Sequence, residues 1–150
     1  MSSILRITGE QVIAAYKKTG LHVKHSAYFS APDNADCMEQ CAACALTALA
    51  VAARPEEFKL EGGQYFSTIR IRRIVANAIL GHVGEVKSGG DLDGWLDGFV
   101  NGFDGHAVNI EHFCSASRHE VSWQTQYCLG YANGAAVNST VSRDYTLKHL

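Results

Sequence analysis

Residues 95–103 read WLDGFVNGF and residues 127–135 read YCLGYANGA; aligned, they share aromatic-x-x-Gly-aromatic-small-Asn-Gly. Around the first copy, Leu92, Trp95, Leu96, Phe99, Val100 and Phe103 recur at the three- and four-residue steps of an apolar helix face. Glycine inside a helix costs ~1 kcal/mol relative to alanine. Gly94, Gly98, Gly102, Gly130 and Gly134 therefore need compensation, and the physical source is close approach of a neighbouring helix backbone. The match is too brief for a structural repeat, whose units span about 20–45 residues. It reads as two helices solving one packing problem in the same way.

The rest of the chain fits an all-α domain. At 150 residues with 47% hydrophobic content it can bury a core without a metal or disulfide staple, and its two prolines leave room for long helices. Thr8-Gly9-Glu10-Gln11 has the form of a capping box, and Gly20 would close the helix it starts. Residues 22–30 allow at most one short strand or extended segment. A buried central helix is expected from about Asp36 to Ala53, stopping before Pro55. Further helices are expected from about Ser67 to Leu80, from Asp91 to about Phe103, and from the capping box at Ser117–Glu120 to about Val137. This makes a single compact bundle of about five helices over residues 1–137, with 138–150 as a tail that packs loosely or pairs with a partner.

Charge and hydropathy exclude several classes. The net charge of −2 and the pI near 6.4 give no field favouring nucleic acid, and Arg70, Arg72 and Arg73 read as the wet face of a helix. No stretch approaches the ~18 apolar residues of a membrane span, and the N-terminus lacks the pattern of a signal peptide. The expected setting is cytoplasmic, where thiols stay reduced, and five cysteines do not make a complete disulfide framework.

Three of those cysteines lie in residues 36–44, DCMEQCAAC, spaced C-x3-C-x2-C. On a helix, Cys37, Cys41 and Cys44 occupy i, i+4 and i+7 and share one face. With Ala48 and Val51 they form a ridge of small buried side chains, against which a glycine-marked helix is expected to pack. A thiolate site for Cu(I) or Zn is the alternative. Its fourth ligand would come from Cys114, Cys128, His22, His25, His112 or His119. The segment CMEQCAACA resembles the cysteine-rich four-helix bundles that store copper, which repeat such a pattern on several helices where this chain has it on one. The spacing also matches the cluster motif of radical-SAM enzymes. There it follows the first strand of a βα barrel, a context absent here.

Other motifs fail or stay bare. Counted from Asp91, a calcium loop would need glycine at its sixth position, and Leu96 stands there. His112, Cys114 and His119 are near one another in sequence, but a Cys–His pair is assembled in space and needs a third group to orient it, and no supporting motif accompanies them. Asp93, Asp97 and Asp104 read as a solvated face. The stripe Trp95, Phe99 and Phe103, with Tyr127 and Tyr131, exceeds the needs of a small core and marks a ligand or partner surface, edged by Asp93 and Asp97. The sequence thus points to a binding or assembly protein whose partner is itself, as a homodimer, or another protein. Thiolate metal binding and an enzyme of unrecognised type are the other readings.

Overall fold

The computed structural model describes residues 5–60, 66–108 and 121–148. Among them lie the helices α1 (Gly9–Thr19), α2 (Ala45–Ala53), α3 (Thr68–Ala78), α4 (Asp91–Asp104) and α5 (Val121–Lys148). A small sheet adds β1 (His22–Val23), β2 (Phe29–Ser30) and β3 (Ala42–Ala43). The fold is mainly helical, as expected, but it includes more β structure than the sequence suggested. Packing groups the chain into two units, one of residues 1–9 with 84–150 and one of residues 10–83.

In the unit of residues 10–83, α1 ends where Gly20 turns left-handed at φ +81 and its N–H donates to the Tyr16 carbonyl at 2.9 Å. The Tyr16 hydroxyl donates to the Ala43 carbonyl at 2.7 Å, tying α1 to the sheet. β3 lies in the middle of that sheet, parallel to β1 and antiparallel to β2. Helix α2 is buried from Ala45 to Val51, including Thr47. Helix α3 begins at Ser67, whose side chain accepts from the Arg70 N–H at 3.4 Å, and it buries Ile71, Ile74 and Val75. The Arg73 guanidinium lies 3.8 Å from the Glu57 carboxylate, so this basic segment is partly satisfied within the unit.

Two expectations are corrected here. The helix predicted over residues 36–53 starts only at Ala45. Before it, Cys37 and Cys41 are extended around a 3-10 turn at Met38–Gln40, and Ala42–Ala43 is strand. Cysteine and alanine suit either conformation, so tertiary pairing decides. The His22 N–H donates to Cys41 O at 2.9 Å, the Lys24 N–H to Ala43 O at 3.0 Å, and the Cys44 N–H to Tyr28 O at 3.2 Å. Strand partners on both sides thus draw these residues out of the helix. Residues 22–30 correspondingly supply two strands, both against β3.

In the unit of residues 1–9 and 84–150, α4 stops at left-handed Gly105 (φ +75), and the next N–H, of His106, donates back to Asn101 O at 3.0 Å. Helix α5 does not end near Val137 but continues to Lys148, so most of the expected tail is helix. Val137 and Val141, one turn apart and both buried, continue the inward face that Trp123, Tyr127, Gly130 and Gly134 begin. The capping box at Ser117–Glu120, the Gly62-Gly63 break, His112, Cys114 and His119 lie outside the described residues.

Candidate functional site

Helices α4 and α5 meet backbone to backbone. A methyl group built on Gly98 would overlap the Tyr127 carbonyl oxygen, and one on Gly102 the Tyr131 carbonyl oxygen. On Gly94 it would lie 2.7 Å from the Trp123 carbonyl oxygen. The contacts advance along both helices together, so the pair is parallel. They are also reciprocal. A methyl on Gly130 would overlap the Trp95 carbonyl, and one on Gly134 the Phe99 carbonyl. Gly98 faces Tyr127 and Tyr131 while Gly130 faces Trp95 and Phe99, so the two copies of the motif sit in equivalent places about a local two-fold. Such proximity lets glycine Cα–H groups contact opposing carbonyls, a weak interaction worth ~0.5–1 kcal/mol each. The glycines expected to face the cysteines instead face each other's helix.

The aromatic side chains flank this seam. Trp95 stacks on Phe99 with centroids 5.4 Å apart, and Trp123 on Tyr127 at 5.4 Å. Tyr131 follows Tyr127 at 6.4 Å. Trp95, Phe99, Phe103 and Tyr127 are all buried and Tyr131 is half-buried, so the stripe read as a partner surface lies inside the protein. The Asn101 amide donates to the Tyr127 hydroxyl at 2.6 Å, and the Tyr131 hydroxyl donates to the His106 carbonyl at 2.5 Å. Burial pushes the Tyr127 phenol up from its ordinary value of 10.0; the Asn101 bond opposes that, and the Asp97 charge adds to it. Asp93 accepts the Gly89 N–H at 2.9 Å. Asp93, Asp97 and Asp104 are half-buried, not the solvated row that was expected.

The cysteines are not three steps of one helix face. Cys37 is half-buried before the 3-10 turn, Cys41 is buried after it, and Cys44 is buried at the start of α2. The Cys41 thiol donates to the Cys37 carbonyl at 3.5 Å, and the Cys44 sulfur lies 3.6 Å from the Thr47 hydroxyl. Burial pushes the Cys41 thiol above its ordinary 9.0, with Cys37 and Glu39 adding to the effect; burial and Glu39 do the same to Cys37. A raised value leaves less of each as thiolate, the nucleophilic form. Among the described residues no group of three or more His, Cys, Asp or Glu side chains is placed to hold copper, zinc or another metal. His22 Nε2 is spent on the Glu39 carbonyl at 2.9 Å. Cys128 is exposed on α5.

The outward side of α5 was not singled out from the sequence. Thr125, Cys128, Leu129, Ala132, Ala135, Ala136 and Ser139 are exposed there, and Leu129 keeps 54% of its surface. From Val121 to Ser142 the chain has no charged residue, a signal that was present in the sequence. No described helix is long and apolar enough to cross a membrane. Protein-family models, curated proteins and solved structures offer no match to this chain.

Proposed function

We propose that this protein acts by association and that the outward face of α5 is where it meets a second copy of itself. The observation that carries this reading is the small, uncharged and exposed face from Thr125 to Ser139. Exposed helix faces ordinarily carry charge. Small residues permit close helix contact, and an uncharged surface can meet its own copy without repulsion. A closed two-fold pair is the commonest way for such a surface to be used. The buried aromatic stripe then serves the core, and the thiols of Cys37, Cys41 and Cys44 serve packing.

Light scattering on the wild-type chain and on an Ala132→Glu/Ser139→Glu variant tests it. These residues are exposed and two turns apart on one side of α5. The expected result is a wild-type dimer and a monomeric variant with unchanged circular dichroism. A monomeric wild type, or a variant that associates equally well, would overturn the reading.

A further inference from the structure

Helix α3, TIRIRRIVANA, carries three arginines and no acid in a chain whose net charge is −2. Its buried side is Ile71, Ile74, Val75 and Ala76. Ile69, Arg70, Arg73 and Asn77 neighbour one another at three- and four-residue steps and make one outward patch. Arg70 and Asn77 are exposed, and the Arg73 side chain keeps 38% of its surface. Ile69 keeps 72%, which leaves a large aliphatic group in water beside two guanidinium groups.

The two arginines converge. Arg70 Nη1 donates to the Glu57 carbonyl at 3.4 Å, and Arg73 Nη2 lies 3.8 Å from the Glu57 carboxylate. Both guanidinium groups therefore gather at the last residue of the 3-10 turn Pro55–Glu57, although like charges resist being brought together. A charge-assisted hydrogen bond runs ~2.7–2.9 Å, so the Glu57 carboxylate is a loose partner for Arg73, and its side chain stays 36% exposed. Surface pairs of this kind add little to stability.

We propose that this patch is a docking site for an acidic peptide segment of another protein that also bears an aliphatic side chain. The segment's carboxylates engage Arg70 and Arg73, its aliphatic group covers Ile69, and Glu57 is the resident carboxylate that gives way. Charge complementarity sets the chemistry of the occupant, because a planar guanidinium fork matches a carboxylate with two parallel bonds. Nucleic acid makes no use of Ile69, and Glu56 and Glu57 repel a continuous phosphate chain. This docking does not require the self-association of α5.

Fluorescence anisotropy of a labelled Glu-Glu-Leu repeat peptide, titrated at low salt with the full-length chain, reads the docking. The expected result is saturable binding that the same peptide with glutamine for glutamate lacks. Arg70→Ser/Arg73→Ser should weaken it about tenfold or more. Ile69→Ser should weaken it several-fold while leaving a glutamate-only peptide unaffected. Glu57→Gln should tighten it several-fold, and Glu56→Gln, the same charge change one residue away, should alter it far less. If circular dichroism shows the double arginine variant to be unfolded, Arg70→Ser alone takes its place with the same direction of change. Absence of saturable binding, unchanged affinity in the arginine variant, or an equal response to Glu57→Gln and Glu56→Gln would overturn the proposal.

Discussion

Gly98 of α4 and Gly130 of α5 hold equivalent places in one crossing, the first against the Tyr127 backbone and the second against the Trp95 backbone. Neither position has room for a methyl group. The glycines forgo helix propensity, and the close contact of two parallel helices offsets that loss.

Gly98→Ala and Gly130→Ala should each destabilise the fold by roughly 1–3 kcal/mol, the usual range for forcing extra carbon into a packed interior, despite the ~1 kcal/mol helix gain. Because both sites share one crossing, the double variant should cost less than the sum. Gly81→Ala is a control of another kind. It has open space but a left-handed backbone (φ +73), so its cost should be about 1–2 kcal/mol from strain alone. Urea unfolding of the four variants checks the set.

Tyr127 links the crossing to pH. Its folded phenol titrates above the ordinary 10.0, so the unfolded chain loses its proton first as pH rises. The stability this contributes is fully present below pH 10.0 and is lost as pH climbs from there through the folded value. Tyr127→Phe should flatten that part of the alkaline decline. Unfolding midpoints measured from neutral to alkaline pH decide the point, and an unchanged slope in the variant would count against it.

The cysteines should separate by burial in an alkylation time course. Among the described cysteines of the Ala132→Glu/Ser139→Glu variant, in which the outward face of α5 is uncovered, exposed Cys128 should react first at neutral pH and half-buried Cys37 more slowly, with Cys41 and Cys44 modified only on unfolding. Site-resolved mass spectrometry of iodoacetamide-treated protein reads the order. Modification of Cys41 as fast as Cys128 in folded protein would contradict the assigned burial.

Ile7→Ala should cost about 2–5 kcal/mol, as for other fully buried aliphatic truncations. Asn133→Ala removes two hydrogen bonds worth ~1 kcal/mol each and should expose the Ile7 amide to solvent exchange. Hydrogen exchange at residues 5–8, compared with the interior of α5, distinguishes release of the segment from general unfolding.

The sequence disclosed features whose cost has no other explanation. Glycines at four-residue steps in an apolar helix demand a close neighbour, and α4 and α5 supply it to each other. The start of α2 was hidden because DCMEQCAAC has the same small apolar character in a strand as in a helix. Its conformation depends on His22, Lys24 and Tyr28, whose backbones claim Cys41, Ala43 and Cys44. The aromatic stripe was legible as a stripe but not as interior, since periodicity does not say what covers a face. The Asn133 clasp on Ile7 joins residues 126 positions apart through backbone groups, which leave no mark in the pattern of side chains.

The parallel course of α4 and α5 is tested most directly by distances between spin labels on exposed positions, measured from Asp91 to Ser122 and from Asp91 to Ser139. Ser139 lies about 25 Å further along α5 than Ser122. In a parallel pair Asp91 is beside the start of α5, so the first distance should be short and the second long. The reverse order would mean an antiparallel pair, and the reciprocal glycine crossing would then be wrong.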